Sequence, residues 1–462
     1  MKKEPIKYIF FIVMIAASSC MVTKPYRPPV VNTEELYRDS TGTDTANIAN
    51  LHWGELFQDT LLQNLIAEGI RNNLDLKIAY SRQRQAQAYL EQSRQAFLPN
   101  LSADVNVVNG KQTNKSIIST SNTSAHLYQF SANASWEADL WGKLKSSKRA
   151  SLVALLQSEA FSRTVQTGLV AGIANYYYSL IGLDQELLIT QESVTNWKAT
   201  VETMKALKDA DIVTGAAVVQ SDASRYAAEV TIPDIKQSIR QAENALSILL
   251  GRAPGPVLRS TLNKQQAGTL LNVGVPAQLL ANRPDVQEAE LNFQYAFELT
   301  NVARTYFYPS LVISASGGVN GSSVSNLFNP LALVANIAAG LMQPVFNQGI
   351  NRTRLNVARQ GQQQALLSFQ KVLLTAGQEV SDDLTAYQNT LEKKNLRDSQ
   401  IVNLEKAVEY TQLLVRNSSA NYTEVLTAQQ SLLAAQLNQV NDRLQQLQSI
   451  VHLYTDLGGG WK

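Results

Sequence analysis

Two stretches of strict apolar–polar alternation sit at matching places in a chain that otherwise spaces its apolar residues as helices do. In the first, Leu101, Ala103, Val105 and Val107 alternate with Ser102, Asp104 and Asn106. Further on, Tyr128, Phe130, Ala132, Ala134 and Trp136 alternate with Gln129, Ser131, Asn133 and Ser135. A period of two places the apolar and polar sets on opposite faces of a strand. Each run has the roughly ten residues that a tilted membrane-crossing strand needs. Between them, Lys111 to Ala125 is rich in Ser, Thr and Asn with no apolar period, and predicts an exposed loop.

The pattern occurs twice. Arg94-Gln-Ala-Phe-Leu-Pro-Asn-Leu has a counterpart 210 residues later in Arg304-Thr-Tyr-Phe-Tyr-Pro-Ser-Leu. There follow Leu311 to Gly318, a loop at Gly321 to Asn326, and an apolar run from Leu331 to Met342. Strand pairs are thus predicted over 98–137 and 310–344, and the duplication implies an internal two-fold repeat.

Helical periodicity surrounds both hairpins. From Gln58 to Ala96, Leu61, Leu62, Leu65, Ile66, Ile70, Leu74 and Ile78 follow i, i+3, i+4 steps until Pro99. Lys143 to Lys208 is a proline-free run of Ala, Leu, Gln, Ser and Thr, which as a helix is a rod on the order of 100 Å. A rod of that length belongs to a coiled coil or a helical tunnel. Its small residues, Ala150, Ala154, Ala160, Gly172 and Ala174 among them, suit close approach of neighbouring helices, and Tyr176-Tyr177-Tyr178 reads as a packing layer. A returning helix over 214–250 should kink at Pro233. Gly251-Arg-Ala-Pro-Gly-Pro stops it, and 251–283 form an irregular connector. The second half repeats the plan from Pro284, with a rod over Ile350 to Val415 and a return over Tyr422 to about Asp456. The repeats therefore span 58–250 and 284–457, with a tail at 458–462.

Composition narrows the setting. No window of 18 apolar residues occurs, so no transmembrane helix is predicted, which leaves a barrel open. Lys2, Lys3 and Lys7 precede an apolar run from Tyr8 to Ala17 and a small-residue cleavage site, so 1–19 read as a signal peptide. Cys20, the single cysteine, sits where bacterial lipoproteins are acylated, although Ala17 stands where that signal usually has Leu. The segment 20–57, with Pro25, Pro28 and Pro29, should then be an extended tether. Cleavage removes three Lys and one Glu from a chain of net charge +2, so the mature chain is neutral and offers nucleic acid no basic patch. His52, His126 and His452 are far apart, and Asp382-Asp383 and Glu392-Lys393-Lys394 read as solvated helix faces. No phosphate loop or Cys/His cluster occurs, so no catalytic site, metal site or cofactor is predicted.

Four membrane-length strands cannot close alone, because open edges leave N–H and C=O groups unpaired in hydrocarbon. Closure needs about eight strands, so the chain must assemble, with eight, twelve or sixteen strands from two, three or four copies. With apolar faces to lipid and polar faces inward, the interior is wet and the assembly is a channel. A lipid-anchored coiled-coil protein without a channel is the alternative of another class, and the twice-repeated alternation opposes it.

Taken in order, Leu61-Leu-Gln-Asn-Leu-Ile, Asn73-Leu-Asp-Leu, Trp136-Glu-Ala-Asp-Leu-Trp-Gly-Lys, Ala242-Glu-Asn-Ala-Leu-Ser-Ile-Leu-Leu-Gly-Arg, Leu279-Leu-Ala-Asn-Arg-Pro-Asp-Val and Leu457-Gly-Gly-Gly-Trp form a recognisable series. The chain resembles the TolC-like outer-membrane factors, in particular the lipidated branch that serves resistance-nodulation-division pumps. The resemblance implies a homotrimer with a 12-stranded β-barrel in the outer membrane, continued into the periplasm by a long α-helical coiled-coil barrel. It also implies a passive exit duct for drugs and small molecules, gated by iris-like opening of the helix tips, with a duct for type I protein secretion as the variant. A periplasmic adaptor should dock at the tips, around Asp209, Asp211, Ser418 and Asn421, while an inner-membrane transporter supplies the energy. Where the family often has Gly at each tip turn and Asp a few residues on, this chain has Asp211 and Ser418, then Ala217 and Thr427. Thr423, Glu424 and Thr427 become the candidate constriction, with Glu424 supplying the acidic group.

Overall fold

The computed structural model describes residues 22–31, 36, 48–116, 119–265, 278–417 and 421–462. Cys20 and Ser418 lie outside these. The chain divides into two compact units, one from 1–30, 83–158 and 289–369, the other from 31–82, 159–288 and 370–462.

The first unit holds one antiparallel sheet in the order β1 (Asn100–Ser116), β2 (Ser119–Ala138), β3 (Ser310–Gly321), β4 (Leu333–Met342). The two hairpins are joined by β2 pairing with β3, with Trp136 opposite Ile313 and Ala132 opposite Gly317. The loop predicted at Lys111 to Ala125 is instead ladder. Gly110 pairs with Ala125, and pairing continues to Ser116 opposite Ser119. Backbone bonds sustain a two-stranded ribbon without any apolar face to bury, so periodicity was blind to it. In the second hairpin, two short 3₁₀ turns at Val324–Phe328 and Pro330–Ala332 link the strands.

The helices are α1 (Thr60–Asn72), α2 (Leu74–Gln95), α3 (Lys143–Asp209), α4 (Gly215–Glu229), α5 (Thr231–Leu249), α6 (Pro284–Thr305), α7 (Ile350–Arg416) and α8 (Tyr422–Asp456), with single turns at Trp53–Leu56 and Leu279–Asn282. The continuous helix predicted over 58–96 is broken at Asn73. Its buried side chain accepts from Leu76 N (2.9 Å) and donates to Leu249 O (2.9 Å), so it caps α2 and ties it to the end of α5. At the kink predicted at Pro233 the helix is interrupted for the single residue Val230, three residues earlier, which keeps helical angles (φ −65°, ψ −21°). Pro233 falls in the first turn of α5, where its missing N–H leaves no bond unmade.

In the second unit Leu62, Leu65 and Ile66 pack against Ile173, Ala174, Tyr177 and Ile181 of α3, Leu246 and Leu250 at the end of α5, and Leu447 and Val451 of α8. Gly251 closes α5 in a left-handed conformation (φ +68°), with Arg252 N bonded back to Ser247 O at 3.0 Å. A Cβ there would lie 2.5 Å from the Asn72 carbonyl oxygen. Gly251→Ala should therefore lower stability by about 2 kcal/mol or more, the left-handed penalty plus the clash, read as a drop in thermal midpoint. An unchanged midpoint would mean that this junction is not built as described.

Candidate functional site

In the sheet, alternation translates directly into two faces. Leu101, Val105 and Ile337, on one face, are 72 to 80 % exposed in the single chain, and Phe130, Trp136 and Leu341 are also open. The opposite face carries Ser102, Asp104, Asn106 and Asn133, with Asn133 Nδ2 donating to Asp104 Oδ2 at 2.6 Å. Within the described residues β1 and β4 each have one neighbour, so both edges are open. At the strand bases two indoles are satisfied by backbone. Trp136 Nε1 donates to Phe97 O (2.9 Å) and Trp141 Nε1 to Pro309 O (2.7 Å), with Trp141 lying 5.1 Å from the Tyr308 ring. Both pin the hairpin bases, a role compatible with an interfacial aromatic position.

Entry into α3 is fixed by Asp139, whose carboxylate accepts from Leu144 N (3.0 Å) and Lys145 N (2.9 Å). The segment after Cys20, expected as an extended tether, is fastened to the first unit in its described part. Buried Asn301 accepts from Lys24 N (3.0 Å) and donates to Lys24 O (2.9 Å), while the Tyr26 ring lies against Phe293 and Phe297. Nothing in periodicity marks Asn301, because a clamp on backbone needs no particular partner residue.

In the second unit Asp59, unnoticed in the sequence, anchors a polar cluster. Its carboxylate accepts from Tyr177 Oη (2.6 Å), Ser260 Oγ (2.6 Å), Gln265 Nε2 (2.7 Å) and, as the cap of α1, Leu61 N (2.9 Å). Burial opposes its charge, but these donors win and hold its pKa below the usual carboxylate value. Burial and the bond to Asp59 together push the Tyr177 hydroxyl up to about 12. Of the predicted tyrosine packing layer, Tyr177 and Tyr178 are buried and Tyr176 is exposed, and the Tyr177 hydroxyl also accepts from Ser260 N (3.0 Å).

At the far end of α3, Asp209 is its last residue and is exposed. Asp211 stands where a glycine is usual and still adopts the left-handed conformation (φ +58°), while Ile212 N bonds to Leu207 O at 2.9 Å, so the turn survives the replacement. Asn421 caps α8, accepting from Thr423 N at 3.2 Å. Of the candidate constriction residues, Thr423 is half-buried, Glu424 and Thr427 are exposed, and Thr427 Oγ1 donates to Thr423 O (2.8 Å). Ala217 is fully buried against Met204, Val415 and Val425, a place where a carboxylate would lack a partner. Sequence reasoning missed the ties between the two helix pairs here. Buried Gln429 donates to Thr200 Oγ1 (2.9 Å), Gln430 to Ser224 Oγ (3.2 Å), and Tyr422 Oη to Gln220 Oε1 (3.2 Å).

No group of three or more His, Cys, Asp or Glu suited to a metal occurs among the described residues, and none of their helices is long and apolar enough to cross a membrane. A half-open sheet with a bare apolar face and a polar face defines a membrane-channel subunit rather than a free-standing globular protein. The chain belongs to the outer membrane efflux protein family, whose model matches residues 65–252 and 275–459, one segment per repeat. It is an outer-membrane efflux channel. It is 27% identical over 467 residues to the cation efflux system protein CusC of Escherichia coli strain K12, covering 99% of this chain and all of that protein. It is 29% identical over 430 residues to the toluene efflux pump outer membrane protein TtgC of Pseudomonas putida, covering 91% of this chain and 87% of that one. Among solved structures it superposes on CusC with TM-score 0.85 at 25% identity, over 96% of this chain and 100% of that one. The outer-membrane channel OprN gives TM-score 0.86 at 23% identity, with the same shares covered.

Because the folded-state pKa of Asp59 is depressed, its contribution to stability is present above about pH 4 and lost as pH falls through its folded value. Asp59→Asn should cost about 1–2 kcal/mol near neutral pH, at the low end for charged hydrogen bonds because the site is only partly buried. It should also flatten the acid limb of the stability profile, as followed by denaturant midpoints across acidic pH. An unaltered acid limb would assign that limb to other carboxylates.

Proposed function

We propose that three copies of this chain close a 12-stranded barrel in the outer membrane and form the passive exit duct of a tripartite pump. The observation that carries this reading is the bare, two-edged sheet. Each unpaired backbone group costs several kcal/mol in hydrocarbon, so β1 of one copy must meet β4 of the next. Three copies of four strands give a barrel wide enough for a wet lumen, lined by the polar face with Asp104 and Asn133. The helix tips around Asp209, Asp211 and Asn421, together with Ser418, receive the hairpins of a periplasmic adaptor, and an inner-membrane transporter drives export. Relatives of similar identity are named for cations, for toluene and for pyoverdine, which supports a duct that leaves cargo selection to the pump. Lipid on Cys20, close in sequence to the Lys24 strap, anchors the duct to the membrane. One such relative is named a probable outer membrane lipoprotein, SilC of Salmonella typhimurium.

Thr423, Glu424 and Thr427 line the constriction. The three symmetry copies of Glu424 place their carboxylates there, where Ala217 and Thr427 supply none. The mass of the detergent-extracted protein, corrected for bound detergent, should equal three chains, and a monomer under mild extraction would remove the barrel. In single-channel recordings Glu424→Ala should lose part of its cation preference. An unchanged preference, with trimer and conductance intact, would take Glu424 out of the constriction without touching the duct.

A further inference from the structure

Both rods open with bases where a helix favours acids. α3 begins Lys143-Leu-Lys-Ser-Ser-Lys-Arg149 and carries no acid before Glu159. α7 holds Arg352, Arg354 and Arg359 near its start and no acid before Glu379. The first turn is the positive end of the helix dipole, so helix stability does not account for these bases. Topology brings the two runs to the same end of the sheet. β2 and β4 point the same way, each antiparallel to β3, and α3 follows β2 after the link 139–142 as α7 follows β4 after 343–349. The bases therefore stand at the foot of the membrane-length strands.

Some of these charges are satisfied within the fold. Lys143 pairs with Glu137 (3.0 Å), Arg149 with the buried Glu298 (2.8 Å), and Arg354 stacks on the Tyr306 ring at 3.9 Å. Asp139 is engaged as the cap of α3, and Glu91 with Arg94 (2.8 Å). Lys145, Lys148, Arg352 and Arg359 are exposed and pair with no carboxylate among the described residues. The segment that holds Lys24 decides which side they face. Glu298 and Arg304 both bond Asn301 (3.2 and 2.7 Å), the residue that grips Lys24, so Arg149 and Arg304 lie on the strap side of α6. Lys145 precedes Arg149 by one helical turn and Lys148 follows Lys145 by three residues, so both share that side. A helix turns by about 100° per residue, so Tyr306 points away from Asn301, and Arg352 and Arg359 point away from Arg354, back to the strap side. Lys24 and Arg27 of the strap are exposed as well, and Thr23 abuts Gly142, where a Cβ would sit 3.1 Å from Thr23 Oγ1.

A segment tethered by lipid at Cys20 runs outside the barrel, because a closed lumen holds no bilayer, so the strap side is the outer side. We propose that this basic collar is a docking surface for anionic phospholipid headgroups of the leaflet that faces the periplasm, an inference that rests on the barrel reading above. Lys145, Lys148, Arg352 and Arg359, joined by Lys24 and Arg27, meet the lipid phosphates, and the planar guanidinium groups match phosphate oxygens two at a time. The apolar strand face with Trp136 lies directly above, so one surface passes from acyl chains to headgroups without a gap. Such attraction acts within a Debye length of the membrane and is screened by salt.

Tryptophan fluorescence of the full chain reconstituted in vesicles tests this, because brominated acyl chains quench the tryptophans they touch. Trp136 and Trp141 belong to the first unit, at the strand bases, whereas Trp53, Trp197 and Trp461 belong to the second. At low salt brominated phosphatidylglycerol should compete about fivefold better than brominated phosphatidylcholine for the sites beside Trp136 and Trp141, the preference that one base confers at an anionic surface. At about 0.5 M sodium chloride the ratio should fall toward one. Lys145→Gln, Lys148→Gln, Arg352→Gln and Arg359→Gln combined should bring it toward one at low salt, with quenching by phosphatidylcholine unaltered. A wild-type ratio of one at low salt, a ratio insensitive to salt, or an unaltered ratio in the combined variant would each overturn the docking surface while leaving the barrel. Absence of quenching by either lipid would remove the barrel, and the docking surface with it. If the combined variant does not insert, the wild-type ratio and its salt dependence decide.

Discussion

Backbone hydrogen bonding in hydrocarbon is the constraint on which the rest depends. A strand that crosses a bilayer must have both neighbours, and this chain supplies only four strands with two open edges. Everything peculiar about the sheet follows: one face apolar yet uncovered, the other polar, and two hairpins from distant parts of the chain locked together through β2 and β3. The internal repeat serves that requirement, since each copy of the unit delivers one hairpin of matching register.

The helical parts answer a different demand. Rods of 67 residues such as α3 and α7 have no compact core of their own to stop at. They are held by small residues that permit close approach, by Leu and Ile stripes, and by isolated polar ties. Asn73, Asp59 and Asn301 each bind backbone or several donors at once, the first two as helix caps and Asn301 from within α6. At the helix ends the ties become amide–hydroxyl pairs, Gln429 with Thr200 and Gln430 with Ser224. Such neutral bonds carry no net charge to be screened by salt. A conformational change at the tips that parts the two helix pairs must break them.

Much of this architecture is legible along the chain because it is repetitive. Alternation in Leu101 to Val107 and Tyr128 to Trp136 can serve only a half-apolar sheet, and long proline-free amphipathic runs can serve only long helices. The motif series from Leu61 to Trp461 is similarly local, and it pointed to the family that the comparisons then established. Where pattern and fold parted, the cause was a single side chain or a stretch with nothing to bury. Asn73 breaks a helix without interrupting its apolar stripe, and the polar ribbon from Lys111 to Ala125 pairs through backbone alone.

Strand and helix class and the duplication were thus determined by the sequence itself, since each is written in the local pattern of apolar and polar residues. The tertiary structure alone decided which acids are enclosed. Asp382 and Asp383 look equivalent on one helix, yet Asp382 is exposed while the Asp383 side chain is largely enclosed. It alone also decided that Asn301 grips Lys24, that Ala217 is covered, and that Gln429 finds Thr200. These are contacts over tens to hundreds of residues, and a charge or an amide carries no local mark of the partner that folding will bring to it.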